Sequence, residues 1–570
     1  MMKWLKWKML PVTMMSVYVG MPCAAIAAQP TPRSGYIVEA TNVARAAHEV
    51  RRVGGEVTHE LGIINGVSAL LSPSEVARLR AKPGIEVFAD APVSTQASQA
   101  LPVTTPDIYQ RNMMGVNQLA SMGINGKGVT IAVVDSGILQ ATYLTDLTHD
   151  LNGNNRMLAQ YDAINNVLVD ATHPCKNYPC VNDTYGHGSH ITSLIASSNT
   201  SDAVLQGEPQ GIAPMAQLIN VKAFDGTGSS TYTNVLNGLN WILQNRTTYG
   251  TIRVVNLSFG AKPQSYYWND PIDQAVMKLW QAGIVVVASA GNFGPQAQSI
   301  AVPGNTPYVI TVGAMTDHFT PNDPTDDGVT SFSSAGPTYE GFVKPDVVAP
   351  GGHLAAFMNQ GVQLLATNYP QFASTDHNMF IMSGTSQAAA VTTGVVALML
   401  QSSPSLTPDQ VKCRLLATAS AALKANGTEA YSVFQQGAGR VDALAAVSSQ
   451  AANCANQGLN IAADIAGTHH YGGPARQNSS TGQFYVVDSN GNTLGNAGYL
   501  WNQSYAASQG YLWNNGYLWN QGYLANNGYL WNNGYLWNNG YLWNNGYLWN
   551  QSSMAPASTK TAMESWNAQE

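Results

Sequence analysis

The sequence predicts an α/β protein built on a mostly parallel, doubly wound sheet, preceded by a small α+β unit and followed by a repetitive segment. Three observations lead there. Between Asp107 and Val447, β-branched runs without polar alternation recur between helical stretches, at 129–134, 218–221, 254–257, 284–287 and 309–312. Strands buried on both faces lose the period of two, so these runs imply a parallel sheet covered by helices. Ahead of them, 36–92 reads as strand, helix, two strands, helix, strand. Behind them, 498–551 repeats every six residues, mostly as Gly-Tyr-Leu-Trp-Asn-Asn.

The chain opens on what reads as a secretory signal peptide over 1–28. Lys3, Lys6 and Lys8 precede an apolar stretch, 9–20, and a small-residue segment ending at Ala27 and Ala28. Pro11 and the basic lead fit a signal better than a short buried helix. Cys23 would leave with the signal, and Pro22 argues against lipid attachment there. No apolar run reaches the roughly 18 to 20 residues of a membrane span, so a secreted protein with no membrane span is expected.

In the next unit, Gly54-Gly55 ends a helix over 43–53, and strands follow at 56–61 and 66–71. Ser72-Pro73-Ser74-Glu75 then combines a Ser cap, Pro at the first helical position and Glu three residues after the cap. A last strand, 85–88, follows Gly84. This βαββαβ order implies an open antiparallel, ferredoxin-like sheet with two helices on one face. Residues 91–105 are small and polar, suited to a linker and a cutting site.

Charge excludes one class of partner. The chain carries 26 basic and 33 acidic side chains, and the segment 105–450 alone carries 14 and 22. Nucleic-acid binders concentrate Lys and Arg, so no nucleic acid is expected as partner. Beyond the signal, Cys175, Cys180, Cys413 and Cys454 allow three disulfide pairings. Cys175 with Cys180 and Cys413 with Cys454 is the simplest; a zinc site would need CxxC knuckles or a His pair that the spacing lacks.

Ligands of parallel sheets bind at the carboxyl ends of the strands, and polar motifs sit there. Asp135-Ser136-Gly137 follows the first buried run. The segment 183–190 contains Gly186-His187-Gly188 and opens a helix. Ser383-Gly384-Thr385-Ser386 opens another, and Ala290-Gly291-Asn292 follows the run 284–287. A hydroxyl nucleophile needs an imidazole to take its proton, and the imidazole needs a carboxylate to fix its tautomer. A Ser at a helix start has unpaired backbone N–H groups beside it, and an Asn amide would add a donor for a developing oxyanion.

The order Asp, His, Asn, Ser is that of the subtilisin-like serine proteases, and the resemblance covers 107–447. It implies Asp135 as orienting carboxylate, His187 as general acid and base, Ser386 as nucleophile and Asn292 as oxyanion donor. It further implies that Ser258, Phe259 and Gly260, with Gly226, Thr227 and Gly228, flank an extended substrate, while Ala290 and Gly291 line the primary pocket. Ser331-Phe332-Ser333-Ser334 and the run 344–351, from Lys344 to Gly351, are further landmarks. The amino-terminal unit resembles the inhibitory propeptide of these proteases, cut away within 91–105. Polypeptide substrates and the chain's own propeptide are thus the expected partners. Gln387 and Ala390 stand where relatives carry Met and Pro, and Ser189 where they carry Thr; altered packing behind Ser386 is expected, not lost catalysis.

No cofactor is needed for this chemistry. Structural calcium is an open expectation from the family, with Asp317, Asp323, Asp326 and Asp327 in one acidic loop and Asp150, Asn152 and Asn154 in another. The second loop lacks the EF-hand placement of Gly, and no residue is assigned as ligand. In the repeats, Tyr and Trp two apart share a strand face, so a β-solenoid contacting a cell surface or polysaccharide stands beside a disordered low-complexity segment. The domains expected are signal 1–28, inhibitory propeptide 29–95, catalytic 105–449, linker 450–497, repeats 498–551 and tail 552–570. The rival function is a surface- or polysaccharide-binding protein carrying an inactive protease-like domain.

Overall fold

The amino-terminal unit consists of β1 (Ser34–Glu39), α1 (Val43–Arg52), β2 (Glu56–Leu61), β3 (Gly66–Leu71), α2 (Pro73–Arg80) and β4 (Glu86–Ala89). Its strands lie in the order β2-β3-β1-β4, each pair antiparallel. Both helix starts are capped. Asn42 accepts from Arg45 N–H at 2.9 Å; Ser72 and Glu75 form a reciprocal capping box with Pro73 at the first position. Adjacent residues of β1 face opposite ways. Val38 joins Ala46, Val50 and Leu79 in the unit's own core, while Ile37, with Leu61, Ile63 and Ile64, joins the core of the large domain.

The computed structural model describes residues 32–95, 109–139, 145–169, 182–201, 205, 207–320, 323, 325–373, 379–424, 429–488, 491, 493 and 517–518. The signal peptide, Cys175 and Cys180, the cutting segment from 96 on, the tail and the repeats apart from Tyr517–Leu518 lie outside the described residues.

After β5 (Pro92–Thr95) and the short helices α3 (Gln110–Met113) and α4 (Val116–Ser121), the large domain is a nine-stranded sheet. Its strands are β6 (Thr130–Asp135), β7 (Met157–Asp162), β8 (Val167–Val169), β9 (Gln217–Lys222), β11 (Ile252–Leu257), β13 (Val285–Ser289), β14 (Ile310–Thr316), β15 (Gly328–Val329) and β16 (Val347–Pro350). The order is β15-β14-β13-β11-β6-β9-β7-β8, with β16 also on β14. All pairings are parallel except those of β8 and β15 at the two ends. The five β-branched runs became β6, β9, β11, β13 and β14, all deeply buried. The mixed or two-to-four-residue strands β7, β8, β15 and β16 carry no comparable run.

Helices cover both faces. The interior of the sequence between strands supplies α5 (His187–Ala196), α6 (Tyr232–Gln244) after the edge strand β10 (Ser229–Thr231), and α7 (Pro271–Gln281) after β12 (Phe259–Gly260). Beyond the hairpin β17 (Leu354–Phe357) and β18 (Met379–Met382), with α8 (Leu364–Asn368) between them, α9 (Thr385–Ser402) and α10 (Pro408–Thr418) follow. Thr393 of α9 donates to Asn256 Oδ1 at 2.9 Å, while Gly238 of α6 lies against Val134 and Val221. Asn256 pairs with Val133, the neighbour of Val134, so α9 and α6 lie on opposite faces. The sequence's doubly wound sheet is therefore the observed one.

Behind the sheet, two lysines share one buried carboxylate. Lys344 Nζ is 2.7 Å from Asp346 Oδ2, and Lys412 Nζ is 3.1 Å from Asp346 Oδ1. Thr311 N–H donates to the same Oδ2 at 2.8 Å. Burial pushes the Lys344 ammonium down to about 7, with Asp346 opposing.

The stretch expected as a linker, 450–497, is corrected over its described part. Cys454 is disulfide-bonded to Cys413 of α10, with a Cα separation of 5.1 Å. In the helix Ile461–Ile465, Asp464 accepts from Tyr267 and Tyr308 hydroxyls at 2.9 and 2.6 Å. Ala475 and Val486 join the main core. Polar composition concealed this packing because several of the polar groups are turned inward and satisfied there. Tyr517–Leu518 pairs antiparallel with Tyr471–Gly472. Among the described residues no helix is long and apolar enough to cross a membrane.

Candidate active site

Asp135 is the last residue of β6, at the carboxyl edge of the sheet, and is fully buried. Its Oδ1 accepts from Ser136 N–H at 2.7 Å and lies 2.8 Å from Nδ1 of His187. His187, also fully buried, is the first residue of α5 and follows Gly186 at φ +115°. Its Nε2 has no hydrogen-bond partner among the described residues. A Cβ on Gly188 would meet the carbonyl oxygen of Gly137 at 2.2 Å, so only glycine lets this helix start approach the Asp135 turn so closely.

Ser386 occupies the first turn of α9, which packs against α5. Its hydroxyl donates to Ser258 O at 3.0 Å, and Ser258 Oγ donates back to Ser386 O at 2.9 Å. Asn292 is held through Oδ1, which accepts from Thr385 N–H at 3.0 Å and Thr385 Oγ at 2.8 Å. Gly291, at φ +107°, donates to the same Thr385 hydroxyl at 3.1 Å. The structure thus gathers Asp135 with His187, and Asn292 with the helix start that bears Ser386. Gln387 and Ala390 are buried, and α9 runs unbroken past both.

A second carboxylate organises the seam between the Asp135 turn and α5. Asp183 accepts from Ser136 Oγ at 2.9 Å, from Gly186 N–H at 2.8 Å, and from Ser189 N–H and Oγ at 2.8 and 2.7 Å. Ser136 Oγ in turn accepts from Gly188 N–H at 2.8 Å. Lys222, at the end of β9, donates to Ser136 O and Asn182 O at 2.7 and 2.8 Å. Asp183 opens the segment 183–190, and local pattern alone gives it no role. Its signal was an acidic residue four before the histidine in an otherwise neutral segment. His190, one turn on, is pushed down to about 3 by burial and accordingly stays neutral.

The expected substrate edges are filled by the chain itself. Strand β5 lies antiparallel between β10 and β12, with Ser94 opposite Gly260 and Thr95 opposite Phe259. On the other side Ser94 faces Ser229 and Val93 faces Ser230, and Thr95 N–H donates to Gly228 O at 3.3 Å. Phe259 turns its ring inward against Phe224, centroids 5.1 Å apart, so it offers only backbone to the strand. Gly226 and Thr227 do not pair with β5. Thr227 closes a turn on Asp225 at 2.7 Å, and the ladder is made by Ser229–Thr231 beyond it. Ala290 is buried, and Gly291 O accepts from Ser334 N–H at 2.9 Å.

The acidic loops do not fit a calcium cage. Asp317 pairs with His353 at 2.8 Å, Asp327 with Arg440 at 3.0 Å, and Asp326 accepts from Thr320 Oγ at 2.8 Å. Asp323 accepts from Thr325 N–H at 3.0 Å. Asp150 accepts from Asn152 and Asn154 N–H, both at 2.9 Å. Among the described residues no three His, Cys, Asp or Glu side chains converge to hold a metal.

Comparison with known proteins matches residues 126–439 to the subtilase family. The chain is 38% identical over 293 residues to the serine protease AprX of Bacillus subtilis, covering 51% of this chain and 60% of AprX. It is 29% identical to subtilisin E of Bacillus subtilis over 67% of this chain and 82% of that protein. Against an alkaline protease of Shouchella clausii the values are 30%, 67% and 81%. Among solved structures, fervidolysin of Fervidobacterium pennivorans shares the fold with a TM-score of 0.56 at 23% identity, over 74% of this chain and 61% of that one. With 314 residues matched, more than half the chain, this protein belongs to the subtilase family, and its large domain is a serine endopeptidase domain.

Proposed function

We propose that this chain is a secreted serine endopeptidase, made as a zymogen whose amino-terminal unit occupies the cleft until the enzyme cuts it away. Ser386 is the nucleophile, His187 the general base and then acid, Asp135 its orienting carboxylate. The chief support is the buried 2.8 Å contact between His187 Nδ1 and Asp135 Oδ1, which leaves Nε2 as the nitrogen able to take a proton. For attack, the Ser386 hydroxyl turns from Ser258 O to His187 Nε2. Its oxygen adds to the substrate carbonyl while the proton passes to the imidazole. The resulting oxyanion accepts from Ser386 N–H and from the Asn292 amide, whose orientation Thr385 sets. His187 then returns the proton to the leaving amine, and water repeats the sequence on the acyl-enzyme. Every step of this sequence is carried by these side chains and water.

Substrates bind as an added strand between β10 and β12, the position β5 holds, and their main-chain hydrogen bonds make recognition broad. Ala290 and Gly291 leave a roomy apolar pocket suited to large uncharged side chains. Since β5 fills this ladder through Thr95, the bond cut follows Thr95 and lies before about residue 105. The test is Ser386→Ala in the full chain. Peptidase activity should fall by about 10⁶-fold and the precursor should stay uncut. Normal self-cutting by that variant, or no labelling of mature wild-type Ser386 by a serine-directed covalent inhibitor, overturns the proposal.

A further inference from the structure

The face joining the amino-terminal unit to α6 and α7 holds a buried carboxylate with no cation beside it. Much of it is neutral. Ile63 N–H donates to Asn240 Oδ1 at 3.0 Å, and the hydroxyls of Ser68 and Thr233 lie 2.7 Å apart. Thr233 N–H donates to Asp90 at 2.8 Å. At the α7 end, however, carboxylates gather. Glu39, the last residue of β1, is 8% exposed. Its Oε2 accepts from Gln274 of α7 at 3.2 Å, and its Oε1 is buried with no hydrogen-bond partner among the described residues. Glu86 of β4 stands directly opposite it across the strands. Asp270, the cap of α7, acts on it from the large domain. Like charges opposite each other repel, and a buried carboxylate with no cation is costly.

We propose that this face is a pH-dependent latch, which holds the amino-terminal unit while Glu39 carries a proton and releases it when Glu39 ionises against Asp270 of the large domain. This inference rests on the reading of that unit as a removable inhibitor.

Burial pushes the seated Glu39 carboxyl well above its ordinary value of 4.5; Glu86 and Asp270 add to this and Gln274 opposes it. Partial burial also raises Glu86, against the pull of His470. Asp270 and Asp273 are raised by burial as well, but their hydrogen bonds to Tyr232, Asn305 and Thr306 lie within the large domain. A group whose value is raised in the seated state favours docking at low pH. Docking therefore weakens as pH climbs from 4.5 through the seated value, by at most about tenfold per pH unit per proton. His59 of β2 works on the other side: burial lowers it, with Asp90 opposing, so docking weakens as pH falls through 6.5. Glu39 thus governs the alkaline limb and His59 the acid limb.

The test uses the full chain with Ser386→Ala, so that it cannot cut itself, and a recognition sequence for an unrelated site-specific protease placed within 96–105. After that cut, co-elution of the amino-terminal fragment with the remainder is measured from about pH 6 to 9. The apparent Kd should rise with pH over that range, by at most about tenfold per unit. With Glu39→Gln it should stay level, and with Asp270→Asn, which keeps a side-chain oxygen to cap α7, the rise should shrink. A parent complex insensitive to pH overturns the latch, and so does an unchanged slope in both variants. Self-removal is read separately, from cutting of the wild-type chain against Ser386→Ala, so a failure there is distinguishable from a failure of the latch.

Discussion

The seam between Asp135 and α5 and the face between the amino-terminal unit and α7 are both buried and both acidic, yet they are built oppositely. In the seam, Asp183 alone accepts at least four donors from the segments it joins, and Lys222 stands over the same turn. At the α7 face, Glu39 keeps one neutral donor and two carboxylate neighbours. A buried charge surrounded by donors fixes geometry, whereas one facing like charges stores a reason to separate. The catalytic seam must not move during turnover, and the face of a removable segment must.

The first way to sharpen this contrast is to remove a hub on the fixed side. Asp346→Ala leaves Lys344 and Lys412 buried without their shared carboxylate. It should cost about 3 to 5 kcal/mol of stability, read by denaturant unfolding of the Ser386→Ala chain. A loss under about 1 kcal/mol would mean that buried charge in this domain is no better anchored than at the α7 face.

Next in size is Asn292→Leu, which removes an oxyanion donor and leaves Thr385 without its acceptor. We expect kcat to fall about 10² to 10³-fold with KM little changed. A comparable rise in KM with kcat unchanged would assign Asn292 to substrate binding.

The smallest effect tests the releasable side. Ser72→Ala removes one half of the α2 capping box and should cost about 1 kcal/mol. Amide exchange should show the loss within the amino-terminal unit, with the seam around His187 unchanged. Loss of protection spreading to α5 would show that the two regions are one cooperative block.

Much of this arrangement was legible in the residues. The buried runs became the central strands because apolar, β-branched segments between helices have nowhere to go but a covered sheet. The starts of α2, α5 and α9 were readable because caps and glycine turns act over a few residues. The strands β7, β8 and β15 were not, since β7 mixes polar with apolar residues and β8 and β15 are only three and two residues long. Likewise, the inward packing around Asp464 and Cys454 was hidden, because a polar residue looks the same in a sequence whether it meets water or Tyr267 and Tyr308.

By itself, then, the sequence determined the fold class and the order of the chemistry-bearing residues, both of which follow from local pattern and spacing. Only the tertiary structure decided that β5 lies in the substrate ladder, that Asp183 ties the Asp135 turn to α5, and that Glu39 faces Glu86 and Asp270. Those facts depend on which polar groups meet across long separations. Hydrogen bonding and desolvation act on distance in space, and distance along the chain does not record it.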